Sequence, residues 1–123
     1  MARVAVVDDS RLARAFAVSA LRGHGHEIRE VEPTSLFNVL EALKSYRPDL
    51  VIVDYLMPLC PGLSLIRACT EDEHLHHVRI VVLTAHHEEE AISLLERMGV
   101  ALCLHKPVAP NVLVGAVDRG LAR

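Results

Sequence analysis

The feature that most constrains this chain is a repeated switch between two periods. Five short runs rich in aliphatic residues recur at fairly even intervals: Val4–Val7, Glu27–Val31, Leu50–Val53, Val78–Leu83 and Ala101–Leu104. Between them the spacing becomes helical. Leu36, Val39, Leu40 and Leu43 stand at i, i+3, i+4 and i+7, the stripe of a helix buried along one face. Ala91, Leu94, Leu95 and Met98 repeat the stripe ahead of Gly99, a helix stop, and Leu113, Ala116, Val117 and Leu121 follow much the same pattern. Thr34 or Ser35 is placed to cap the second helix, with Pro33 fixing the approach. Strands joined by single helices imply a parallel sheet, because parallel neighbours need a crossover connection.

The first, third and fourth runs are almost continuously apolar, as strands covered on both faces are. The second, "EIREV", is polar and belongs at an edge. The pattern therefore predicts an α/β fold: a (βα)5 doubly wound domain with a five-stranded parallel sheet, in one domain over residues 1–123. Hydrophobic residues make up 51% of the chain but aromatics only 3%, so the core has to be aliphatic. Charged residues at 24% and a net charge of -3 give nothing basic enough to suggest nucleic-acid binding through electrostatics alone. No apolar run approaches the ~20 residues that span a bilayer. Asp8 and Asp9 end the first apolar run too early for a signal peptide. Cys60, Cys69 and Cys103 are odd in number and lack paired-motif spacing, which suits free thiols in a reducing cytoplasm. The expectation is a cytoplasmic domain without membrane or direct nucleic-acid partners.

In open α/β sheets the ligand site lies beyond the carboxyl ends of the strands. The first strand ends in Asp8–Asp9, the third in Asp54 and the fourth in Thr84, and the fifth runs into His105–Lys106–Pro107. Each has a plain structural alternative. Asp8–Asp9–Ser10 could cap the first helix, Thr84 the fourth; Asp54 could be a turn residue and Lys106 a solvated charge. Those alternatives leave unexplained why all of them converge on one rim. Three close carboxylates raise one another's proton affinity unless a cation sits among them. Mg²⁺ is the natural ion, since it binds through one or two carboxylates and keeps several waters. Thr84 and Lys106 suit an anion on the far side of that ion. A metal and an anion beside a carboxylate are the layout for phosphoryl transfer onto that carboxylate.

The same residues read "VVDDS", "VIVDYLMPLCPG", "VVLTA" and "HKP", in that order. On them the chain resembles the receiver domain of bacterial response regulators, over essentially its whole length. The Asp54-to-Thr84 interval and the turn Met57–Pro58 followed by Gly62 are typical of that family too. The resemblance implies a flavodoxin-like strand order 2-1-3-4-5. It makes Asp54 the acceptor of a phosphoryl group from a sensor histidine kinase, a phosphotransfer protein or a small acyl phosphate. It implies Mg²⁺ bound by Asp9 and Asp54 directly, by Asp8 through water and by the backbone carbonyl of Leu56. Thr84 would hydrogen-bond the phosphoryl oxygens, Lys106 would pair with them, and the Lys106–Pro107 peptide would be cis. Phosphorylation would shift the balance between two arrangements of the domain. The face of the fourth helix, fifth strand and fifth helix would signal that shift to a downstream protein, an output domain or a second copy. Such a domain catalyses only its own phosphorylation and dephosphorylation.

Three positions depart from or tune the pattern. Where the family often carries an aromatic, three residues before the lysine, this chain has Cys103, read as a buried, inert thiol. Leu56 and His86 stand two residues past Asp54 and Thr84, where the family modulates hydrolysis. An apolar Leu56 is expected to shield the acyl phosphate and lengthen its life. His74, His76 and His77 lie in the charged segment "EDEHLHH" and, with His86 and His87, read as solvated residues and not as a metal site. Glu88–Glu90 read as the first turn of the fourth helix. Other readings fit less well. An aspartyl phosphatase of the large hydrolase family needs a second Asp where Leu56 stands, a nucleotide site needs a Gly-rich loop after the first strand, and a pseudo-receiver that never accepts phosphate usually lacks an acid or the lysine.

Overall fold

Strands and helices alternate along the chain: β1 (Arg3–Val7), α1 (Arg11–Arg22), β2 (Glu27–Val31), α2 (Leu36–Tyr46), β3 (Leu50–Asp54), α3 (Gly62–Glu71), β4 (Arg79–Thr84), α4 (Glu89–Arg97), β5 (Leu102–His105) and α5 (Pro110–Leu121). The computed structural model describes residues 2–85 and 89–122. All strands pair in parallel, in the order β2-β1-β3-β4-β5, so the order reverses between β1 and β3. The polar strand β2 is at one edge, and the half-buried β5 is at the other.

The strands' alternating side chains divide the core into two layers. Ala5, Val7, Val51, Val53, Ile80 and Val82 pack with residues of α2, α3 and α4, including Val39, Leu43, Leu65, Ile66 and Leu95. Val4, Val6, Leu50, Ile52, Val81 and Leu83 pack with Ala17 and Leu21 of α1 and with Leu113, Ala116 and Val117 of α5. Asp8, Asp54 and Lys106 continue the strand series that faces α1 and α5, whereas Thr84 continues the series that faces α4. Strand parity thus aims the acids and the lysine together and sets the hydroxyl against the other layer.

Two strand starts fall one residue later than the apolar runs suggest. Val78 is buried, but its N–H closes a turn onto the Leu75 carbonyl at 3.0 Å, and pairing begins at Arg79 opposite Leu50. Ala101 donates to the Ile80 carbonyl at 2.8 Å before the register opens at Leu102 opposite Val81. Val78 thus serves packing and not the ladder, and Ala101 gives the β4–β5 ladder a single bond ahead of its first paired residue. The helix ends are locally encoded. Ser35 caps α2, its Oγ accepting from the Asn38 N–H at 3.0 Å, while the Thr34 hydroxyl accepts from the Asn38 side-chain amide instead. Gly99, at φ 90°, adopts the left-handed turn that lets α4 stop and β5 begin.

Candidate functional site: an acidic pocket at the carboxyl end of the sheet

The pocket is built on the ends of β1, β3 and β5. β1 leads directly into Asp8, which is only 3% exposed. Its Oδ1 accepts from the Ser10 N–H at 2.9 Å, and the Ser10 hydroxyl in turn caps α1 by accepting from Ala13 N–H at 3.1 Å. Capping and site-building are therefore shared among adjacent residues: Ser10 starts the helix and leaves Asp8 and Asp9 to the pocket. Asp9 is exposed. Asp54 is the last residue of β3, paired opposite Leu83 and 8% exposed. Among the described residues, Asp8, Asp9 and Asp54 offer carboxylate oxygens that all lie within 4.8 Å of one another.

Lys106 reaches this group from beyond β5. Its ammonium lies 3.0 Å from Asp54 Oδ1 and donates to Asp8 Oδ2 at 3.3 Å. The Lys106–Pro107 peptide is cis, and the Lys106 N–H donates to the Thr84 carbonyl at 2.9 Å. Burial raises the pKa of Asp54; the Lys106 hydrogen bond opposes this, and the negative charges of Asp8 and Asp9 add to it. On Lys106 burial acts downward, but the hydrogen bonds and charges of Asp54 and Asp8 outweigh it and hold the ammonium above its ordinary value. An isolated ion pair would lower the acid's pKa. Here it rises, because Asp54 is desolvated, shares its lysine with Asp8 and feels the negative charges of Asp8 and Asp9. That is the donor set of a hard cation: anionic oxygens converging from two buried acids, with exposed Asp9 on the side open to water.

Thr84 ends β4, paired opposite His105 and 3% exposed. A small hollow lined by Tyr55, Thr84, Ala91, Ile92 and Leu95 lies between it and α4. Gly62 fixes the loop that leaves Asp54. Its N–H donates to the Tyr55 carbonyl at 3.0 Å, and a Cβ there would fall 2.8 Å from the Asp54 carbonyl oxygen and from Tyr55 Cα and O. Leu56, in the same loop, is 58% exposed and borders a depression with Asp9, Met57, Pro58 and Pro61. On the other side of the acids, an apolar groove of about 660 Å³ runs from Asp8 and Lys106 past Leu12, Phe16, Pro107 and Leu113.

A family model described as the response regulator receiver domain matches residues 4–118. The chain belongs to that family, the receiver domains of two-component signalling. It is 27% identical to Protein PilH of Pseudomonas aeruginosa over 122 residues, covering 99% of each chain. It is 31% identical to the phosphate regulon transcriptional regulatory protein PhoB of the same organism over 121 residues, 98% of this chain and 52% of PhoB. This receiver therefore spans nearly all of one relative and about half of another. Among solved structures, the chemotaxis response regulator CheY4 of Vibrio cholerae superposes with a TM-score of 0.87 at 26% identity, covering 98% of each chain. A response-regulator structure from Chloroflexus aurantiacus does so with a TM-score of 0.88 at 29% identity, covering 99% of this chain and 98% of that one.

The structure brings Asp8, Asp9, Asp54 and Lys106 together at one rim and ends β4 there with Thr84. His86, along with His87 and Glu88, lies outside the described residues; Glu89 and Glu90 do form the first turn of α4. Cys103 is half-buried at the edge of one core layer, with burial lifting its thiol pKa. Cys60, in the turn beside Asp54, is fully buried. His74 contacts Glu73, and His76 contacts the Glu73 carbonyl. Neither joins a group able to hold a metal among the described residues. Arg14, absent from the motifs above, is 9% exposed, and its Nη1 donates to the Asp8 carbonyl at 2.6 Å. Its signal was present: Arg14 heads the inward stripe Arg14, Ala17, Val18 and Leu21, where a charge has no place without a partner.

Proposed function

We propose that this receiver domain accepts a phosphoryl group on Asp54 from a histidine kinase or phosphotransfer protein, and signals its phosphorylation through the face of α4, β5 and α5. The observation that carries this reading is the lysine shared at 3.0 and 3.3 Å between Asp54 and Asp8, in a pocket of three mutually close carboxylates. An Asp54 oxygen attacks phosphorus as the bond to the donor's imidazole nitrogen, or to a small acyl phosphate's oxygen, breaks. Asp9 and Asp54, with Asp8 through water and the Leu56 carbonyl, would hold Mg²⁺. The bound ion supplies charge neutralisation for the phosphoryl oxygens. Lys106 then turns from the carboxylates to the new oxygens, and the Thr84 hydroxyl donates to another.

Thr84 ends β4 on the face that meets α4, so its movement toward the phosphoryl group alters the packing around the hollow beneath that helix. Phosphorylation acts as a population shift toward that arrangement. Exposed Leu12, Leu56 and Leu59 near the pocket offer apolar surface to a protein donor. The domain works in the cytoplasm, takes no substrate beyond its own phosphoryl group, and passes the state to an output domain, a downstream protein or a second copy. Incubation with Mg²⁺ and acetyl phosphate, followed by intact-mass measurement, tests the core of this. Wild type should gain one phosphoryl mass and Asp54→Ala none; an unmodified wild type, or equal gain by the variant, would return the domain to a non-phosphorylated interaction module.

A further inference from the structure

We infer that Arg14 is a positioning residue for the metal-binding acids, acting through the Asp8 backbone and held in place by Glu30. This rests on the reading that Asp8, Asp9 and Asp54 hold Mg²⁺. Arg14 lies on the buried face of α1, and its guanidinium makes two contacts. Nη1 donates to the Asp8 carbonyl at 2.6 Å, a short, charge-assisted bond, and Nε meets Glu30 Oε1 at 3.3 Å on the edge strand β2.

The Asp8 carbonyl belongs to the peptide that joins Asp8 to Asp9. That unit is planar from one Cα to the next, so fixing its C=O direction also fixes the Asp9 Cα. One hydrogen bond therefore sets the backbone from which both acids project. Asp9 needs this most: it is exposed, so its place depends on its backbone. Glu30, with 46% of its side chain exposed, is the outer anchor that stops the arginine from leaving the carbonyl. Loss of a hydrogen bond that orients a metal ligand typically costs about 10–100-fold in metal affinity, and the bond from Arg14 orients two ligands through their shared peptide.

The test measures Mg²⁺ alone by calorimetry on wild type, Arg14→Met, Arg14→Lys and Glu30→Ala, with thermal midpoints taken with and without the ion. Arg14→Met should bind Mg²⁺ about tenfold more weakly or worse. Arg14→Lys should fall between it and wild type, because its ammonium can donate to the Asp8 carbonyl but cannot span both contacts. Glu30→Ala should weaken binding several-fold. A merely structural arginine would lower the midpoint equally with and without Mg²⁺; a positioning one shrinks the increment that Mg²⁺ adds. Wild-type affinity in a folded Arg14→Met overturns the inference, and weakening in Arg14→Met alone upholds it while removing Glu30. Should Arg14→Met fail to fold, Arg14→Lys decides, and wild-type affinity in that variant overturns the inference. No Mg²⁺ binding by wild type overturns the underlying metal reading instead.

Discussion

Gly62→Ala tests whether the loop leaving Asp54 is held by backbone contact. The new Cβ would lie 2.8 Å from the Asp54 carbonyl oxygen, Tyr55 Cα and the Tyr55 carbonyl oxygen. Ordinary contact begins near 3.4 Å, so the start of α3 must retreat by about 0.6 Å from three atoms that cannot rotate away. Overpacking that moves backbone costs typically about 1–3 kcal/mol. Loosening the Gly62 N–H bond to Tyr55 adds about 1 kcal/mol, while the better helix propensity of Ala offsets up to about 1 kcal/mol. The net loss is about 1–3 kcal/mol, a fall in midpoint of roughly 4–12 °C for a domain of this size. Gly115→Ala, in the interior of α5, is the control. Nothing lies within 4 Å of its Cβ, so it should gain about 0.5–1 kcal/mol. Calorimetric melting of both variants, with phosphorylation by acetyl phosphate assayed well below either midpoint, separates the two effects. Gly62→Ala should also accept phosphate more slowly, because the displaced atoms belong to Asp54 and its neighbour. A Gly62→Ala midpoint at or above wild type, or an equal fall in Gly115→Ala, would refute the close-approach argument.

Three further outcomes follow from the pocket. The raised proton affinity of Asp54, due first to burial, means that its folded form favours the proton. Its contribution to stability is therefore present below about pH 4, the unfolded value, and is lost as pH rises through the folded value. Without metal, Asp54→Asn should melt above wild type at pH 7, with the gap closing as pH falls toward about 4; a less stable variant at pH 7 would contradict this. Adding Mg²⁺ at 100 times its dissociation constant should stabilise wild type by about 2.7 kcal/mol, and Asp54→Asn by clearly less; equal gains would place the ion elsewhere. Leu56→Asn should shorten the life of the phosphorylated state in a single-turnover dephosphorylation assay, because it replaces an apolar shield with a side chain that can hold water. An unchanged or longer lifetime would remove Leu56 from that role.

How much of this was legible beforehand depends on whether a residue's role is local. The strand runs and helical stripes declared the α/β alternation, and the polar "EIREV" declared an edge, because burial acts on side chains of the element itself. The convergence of Asp8, Asp9, Asp54 and Lys106 was legible because a parallel sheet brings all carboxyl ends to one side. The starts of β4 and β5 were not, since Val78 is as apolar as a strand residue yet is buried by a turn. The contacts of Arg14 were also hidden. An arginine on a buried stripe announces that it must have a partner, but the partner is a backbone carbonyl, and no side-chain pattern records where a carbonyl points.

The two core layers also bear on the absent aromatic near Lys106. Cys103 lies on the layer that α2, α3 and α4 cover, the same layer toward which Thr84 points by parity. A thiol there is too small to follow Thr84 inward and refill the space it leaves. Tyr55 can reach that space: it follows Asp54 directly, lines the hollow with Thr84, Ala91, Ile92 and Leu95, and its N–H bonds the Leu83 carbonyl at 2.9 Å. If phosphorylation moves Thr84 as proposed, the ring beside it is the one carried directly after Asp54 at the end of β3 and not one on β5. Coupling to α4 should then survive Cys103→Ala but fail in Tyr55→Ala. Both variants would be phosphorylated with acetyl phosphate and compared by hydrogen exchange at α4. A loss of the phosphorylation-dependent change in Cys103→Ala, with Tyr55→Ala unaffected, would return the coupling to β5.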